Sequence, residues 1–151
     1  MYIKRALEGA IQKASTAFPV LLLIGPRQVG KTTMLGRLGG GNRNYVTLDD
    51  PDACYLARHD PAMFLQRYAP PVTIDEIQYA PEILPYIKMV VDRSGNNGDF
   101  WLTGSQVFHG MKNVSESLAG RVGVISLLGL SGSEIAGVDS EPFTTDPNRL
   151  M

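Results

Sequence analysis

The feature that most constrains this chain is the octapeptide Gly25-Pro26-Arg27-Gln28-Val29-Gly30-Lys31-Thr32. It follows the apolar run Val20-Leu21-Leu22-Leu23-Ile24 and precedes a segment that puts Met34, Leu35 and Leu38 at helical spacing. Strand, G-x-x-x-x-G-K-[ST], helix is the order that a phosphate-binding loop requires. The glycines let backbone N–H groups point inward around a polyphosphate, and the following helix turns its positive end to the same group. Gly25, Pro26, Arg27, Gln28, Val29, Gly30, Lys31, Thr32 and Thr33 are therefore the expected nucleotide-binding residues. Lys31 is expected on the β- and γ-phosphates and the Thr32 hydroxyl on Mg²⁺. The plainer alternative is a Gly-rich turn with a solvated Lys31. The flanking strand and helix weigh against it.

A loop of this kind fixes the class of what surrounds it. Ile3, Leu7, Ile11 and Ala14 predict an amphipathic helix over 3–14. Strands are expected at 20–24, 45–48, 72–75, 100–103 and 122–128. Helices are expected from Gly30, over 51–58 and 61–68, from Pro81, and from Val107 through Met111 and Val114 to Leu118. Asp50-Pro51 and Asp60-Pro61 each offer an N-cap followed by proline at the first helical position. Ser131 and Glu134 stand at capping-box spacing and predict a last helix. Strands alternating with helices imply an α/β fold with a mostly parallel sheet covered on both faces. The 151 residues suit one domain, expected over 1–136, with 137–151 as a tail or the start of a linker.

Hydrolysis needs a carboxylate for the metal shell and a group that positions water. Val72-Thr73-Ile74-Asp75-Glu76 offers both where a parallel strand ends, the edge at which open α/β sheets bind ligands. Asp75 is expected to hold Mg²⁺ with Thr32, and Glu76 to orient or deprotonate the water. Two acids ending a strand are commonly solvated turn residues; their place behind a phosphate loop favours catalysis. Thr103-Gly104-Ser105 ends the fourth strand. There Thr103 or Ser105 could bond the γ-phosphate or the water, or Ser105 could cap a helix. Arg121 opens the fifth strand, and from position alone it reads as a surface arginine paired with an acid.

Charge and cysteine usage limit the remaining classes. The net charge of −1 gives no global attraction to nucleic acid or membrane. Residues 1–48 carry a net +6 and the remainder −7, so the basic segment surrounds the phosphate loop. A single cysteine, Cys54, forms no internal disulfide and fits a reducing compartment. No signal peptide is apparent, and the longest apolar run is too short to cross a bilayer. The expected location is the cytoplasm, with no membrane partner. His59 and His109 suggest no metal site.

Four segments together resemble one family: Phe18 to Thr33, Asp75-Glu76-Ile77-Gln78, Leu102-Thr103-Gly104-Ser105, and Glu116 to Arg121 with Leu127 to Ser131 after it. The chain resembles, over about residues 2–135, the bacterial and archaeal AAA-type ATPases whose C-terminal half is a domain of unknown function. The resemblance implies a P-loop NTPase three-layer sandwich with strand order 5-1-4-3-2, and ATP as the nucleotide. It implies that Arg121 is an arginine sensor or finger, in cis or in trans, and so a homo-oligomer formed through it. It also implies that Tyr2 and Arg5 lie near the adenine. Members of that family continue well beyond this length. The leading expectation is thus an Mg²⁺-dependent ATPase using Lys31, Glu76, Thr103, Ser105 and Arg121. The alternative is a nucleotide-gated module that binds nucleic acid or a protein partner with negligible turnover. A small-molecule kinase would need downstream arginines, and residues 122–151 offer only Arg149.

Overall fold

The computed structural model describes residues 2–105 and 111–137. Val107 and His109 lie outside them, as does the expected tail from residue 138. The elements are α1 (Glu8–Ala17), β1 (Val20–Gly25), α2 (Lys31–Gly39), β2 (Asn44–Thr47), α3 (Pro51–His59), α4 (Pro61–Arg67), β3 (Val72–Asp75), α5 (Leu84–Ser94), β4 (Phe100–Ser105), α6 (Met111–Ser117), β5 (Val122–Ser126) and α7 (Gly132–Ala136).

The five strands form one parallel sheet in the order β2-β3-β4-β1-β5. Read from the other edge, this is 5-1-4-3-2, as expected. The register aligns Gly25 with Ser105 and Thr47 with Asp75, so the polar strand ends share one edge of the sheet. The central strand β1 is apolar on both faces because both are covered. Val20 and Leu22 join the core formed with α3, α4, α5 and α6. Leu21 and Leu23 join the opposite core, with Ile11 of α1 and Met34 and Leu35 of α2. An alternating half-polar strand could not occupy this position.

Local chemistry sets the helix limits. Asp50 caps α3 by accepting from Asp52 N at 2.9 Å, and Asp60 caps α4 by accepting from Met63 N at 3.0 Å. Several boundaries differ from expectation by a residue or more, and three of them have a local cause. The first helix runs from Glu8 to Ala17, not over 3–14. Its start is displaced because Arg5 turns inward and is buried. It runs on to Phe18, which is extended (φ −125°, ψ 142°), as a residue before proline prefers to be. Pro81 opens a 3-10 turn, and α5 follows it. The fifth strand ends at Ser126, where Leu127 N still donates to Ile24 O at 2.7 Å.

Candidate functional site

The loop between β1 and α2 owes its shape to two glycines with different tasks. A Cβ on Gly25 would lie 2.2 Å from Leu127 O, so only glycine permits this approach of β1 to the chain after β5. Gly30 has φ +90°, a left-handed conformation that other residues adopt only with strain. Gln28 is also left-handed, at φ 62°. Lys31, the first residue of α2, is buried, with 5% of its surface exposed. Its ammonium donates to Gly25 O at 2.9 Å and Pro26 O at 2.6 Å. Burial draws its pKa down, while the charges of Glu76 and Asp75 push it back up.

The β3 carboxylate faces the loop. Asp75, 7% exposed, accepts from Thr32 Oγ1 at 3.1 Å and from Thr103 Oγ1 with its Oδ1, and from the Tyr45 phenol at 3.2 Å with its Oδ2. Thr103 is fully buried, and its hydroxyl also accepts from Glu76 N at 2.9 Å. One hydroxyl therefore fixes the Asp75 carboxylate and the backbone of the next residue together. Ser105 is half-buried at the end of β4, level with Gly25. The arrangement thus brings together Lys31, Thr32, Asp75, Glu76 and Thr103, with Ser105 on the same edge.

Three residues not singled out in the sequence support this cluster. Tyr45 reaches Asp75 from the edge strand β2; burial and the Asp75 charge push its phenol up to about 12. Gln78 donates from Nε2 to Glu76 Oε2, and Tyr79 accepts from the Arg27 guanidinium at its hydroxyl. The i to i+2 spacing of Glu76 and Gln78 in a turn was a usable signal. The Tyr45 contact depends on β2–β3 register and had none.

A cavity of about 370 Å³ adjoins the loop, lined by Tyr2, Arg5, Val29, Gly30, Thr33 and Leu130, among others. Tyr2 and Arg5, expected near the adenine, line this cavity beside the phosphate loop, and the Arg5 guanidinium is engaged by the protein. It donates to Val29 O at 2.7 Å, Leu128 O at 2.5 Å and Glu134 Oε1 at 3.2 Å. Burial opposes ionisation of Glu134, yet the Ser131 and Ala6 N–H groups and Arg5 hold its carboxyl down at about 2. Arg5 therefore ties the N-terminus, the loop and α7 together.

Arg121 does not join the site in its own chain. It precedes Val122, which pairs with Val20 at the amino end of β1. Five residues of strand separate that level from Gly25, about 17 Å at 3.3 Å per residue. The guanidinium instead pairs with Asp92, Nε to Oδ1 at 2.5 Å and Nη2 to Oδ2 at 3.1 Å. A parallel strand that opens with Arg121 carries it to the edge of the sheet opposite the phosphate loop of its own chain.

The residues present fit a magnesium nucleotide. Mg²⁺ is characteristically held by one or two protein oxygens together with substrate phosphates and water. Thr32 and Asp75 supply such a pair, and among the described residues no group of three or more His, Cys, Asp or Glu side chains is placed to hold a metal ion.

Fold and loop define a P-loop NTPase domain of the AAA type. The family model described as an AAA domain matches residues 17–136, and the chain belongs to that family. It is 38% identical over 135 residues to the uncharacterized proteins Rv2008c of Mycobacterium tuberculosis and Mb2031c of Mycobacterium bovis. The match covers 87% of this chain and spans 30% of the length of these relatives. The fold is similar to the P-loop NTPase domain of the sigma-54 transport activator from E. coli (TM-score 0.53, 16% identity, 85% of this chain and 100% of that one). It is also similar to a DNA replication initiation factor (TM-score 0.51, 16% identity, 79% and 43%). No helix among the described residues is long and apolar enough to cross a membrane.

Proposed function

We propose that this domain binds ATP with Mg²⁺ and hydrolyses it by in-line attack of water on the γ-phosphate. The observation that carries the reading is the single polar edge where Lys31, Thr32, Asp75, Glu76 and Thr103 converge, with Thr32 Oγ1 and Asp75 Oδ1 3.1 Å apart. Thr32 and Asp75 would hold the Mg²⁺, whose charge would offset the negative charge that develops as the γ-phosphoryl group transfers. Lys31 exchanges its two carbonyl partners for phosphate oxygens, a change favoured by a buried ammonium that gains an anionic partner. The backbone from Gly25 to Thr33 cradles the phosphates. Glu76 orients the water and takes up its proton. Thr103 keeps Asp75 and Glu76 in fixed relation, and Ser105 lies within the same edge for a γ-phosphate contact. Arg121, at the far edge, reaches a γ-phosphate only from a neighbouring copy of the domain, where it would stabilise charge in the transition state.

The test is Glu76→Gln, which keeps the shape and removes the base. Phosphate release should fall by about 10²-fold or more while ATP binding is retained. Unchanged release would remove Glu76 from the mechanism. ATP binding with no release even from the unaltered chain would make it a nucleotide-gated binding module.

A further inference from the structure

The turn that follows β3 has features that a simple connection does not require. Glu76 is left-handed (φ 61°, ψ 52°), a conformation uncommon for a non-glycine residue and associated with functional sites. The 3-10 turn Ile77–Tyr79 comes next, anchored by the buried Ile77 and closed by Tyr79 N donating to Glu76 O at 3.2 Å. Gln78 reaches back to donate to the Glu76 carboxylate, and Tyr79 accepts from Arg27 in the phosphate loop. The turn is thus bonded on one side to the carboxylate and on the other to the loop that would carry the phosphates.

Gln78 is held there at a cost. Its Oε1 is buried and has no hydrogen-bond partner among the described residues. An unpaired buried acceptor costs about as much as a hydrogen bond to a charged group contributes. A leucine would fill similar space without that penalty, so the fold alone gives no reason for an amide. The reason on the molecule is the donor to Glu76. Nearly equal gain and cost also make the grip one that can open. The charge of Glu76 raises the pKa of Lys31 against the larger effect of burial, so the gripped carboxylate lies within electrostatic reach of the phosphate loop.

We propose that Gln78 is a positioning residue for Glu76, setting the direction of the carboxylate that orients the attacking water. This rests on the reading of Glu76 given above. Gln78 acts through Glu76, and the Arg27–Tyr79 bond keeps its turn in register with the phosphate loop.

Gln78→Leu separates this role from a structural one, because it removes the donor and the orphan acceptor together. The full chain is assayed with Mg-ATP for kcat and KM, under single turnover with excess protein where release is slow, beside Gln78→Glu and Glu76→Gln. Gln78→Leu should lower kcat about tenfold or more, leave KM within about twofold, and leave the thermal midpoint equal or higher. Gln78→Glu, which cannot donate when ionised and repels Glu76, should lower kcat at least as far. Wild-type kcat in Gln78→Leu with a dead Glu76→Gln overturns the inference and leaves the Glu76 reading intact. A raised KM or a lowered midpoint in Gln78→Leu overturns it also, because the amide then serves binding or the fold. Equal phosphate release, or none, from wild type and Glu76→Gln removes the Glu76 reading and this inference with it.

Discussion

The two ends of the sheet both carry buried or paired cations, yet they use them in opposite ways. At the carboxyl end, Lys31 rests on two loop carbonyls and Asp75 on three hydroxyl groups, and under the proposed function these bonds give way to a ligand. At the amino end, Arg43 donates to Val72 O at 3.3 Å, Asp99 O at 3.3 Å and Gly98 O at 2.6 Å, and its guanidinium lies 3.9 Å from the centroid of Trp101. Those acceptors are the last carbonyls before β4 and the first of β3, so Arg43 closes the sheet edge. The lesson is that a buried cation does not by itself mark a site: the carbonyls on Lys31 belong to a loop beside a cavity, whereas those on Arg43 belong to the strand ends it ties together, and there the cation marks a joint.

This contrast is broken most severely at Lys31. Lys31→Ala should weaken ATP binding and phosphate release by about 10²-fold or more, since one preorganised charge on the reacting group is removed. Its thermal midpoint without nucleotide should stay near that of the wild type or rise, because a buried ammonium is removed along with its two bonds. Titration with a fluorescent ATP analogue beside a melting curve measures both. A fall in stability with intact binding would place Lys31 among the joints instead.

Arg43→Ala should do the reverse. Losing three carbonyl contacts and the stacking on Trp101 should cost about 2–3 kcal/mol of stability, read by urea denaturation. ATP affinity below the unfolding transition should be unchanged. Reduced affinity in the still-folded variant would mean that the amino edge communicates with the loop through α2 and β4.

The same contrast explains what could be read from the chain. The phosphate loop, the five strands and the Asp50 and Asp60 caps were legible because each is a local pattern whose physics is complete within about ten residues. The place of Asp75 and Glu76 beside the loop was legible because a parallel strand delivers its end to that edge whatever its neighbours are. Tyr45 was not, since its hydroxyl meets Asp75 only through the register of β2 on β3. The start of α1 was misjudged because the apolar spacing of Ile3 continues that of Leu7, while the inward turn is set by Arg5, whose partners Leu128 and Glu134 are more than 120 residues away. Arg121 was read correctly from position as an arginine paired with an acid. The resemblance assigned it a role without fixing whose nucleotide it serves, and only the direction of β5 decides that it is not its own.

The smallest expected effect on the folded chain belongs to Arg121. Its partner Asp92 is exposed and its own side chain is 30% exposed, so the pair is well solvated and screened. Arg121→Ala should leave the thermal midpoint and ATP affinity of the isolated domain within error. Its effect should appear only as concentration rises. If the arginine serves a neighbouring copy, release per wild-type domain should increase with protein concentration and the variant's should not. Mixing decides the direction of the service. Arg121→Ala keeps an intact loop and Glu76, while Glu76→Gln keeps an intact arginine, so the two inactive chains together should recover part of the wild-type rate. A mixture as inactive as its components, with concentration-independent wild-type release, would leave Arg121 as nothing more than the partner of Asp92.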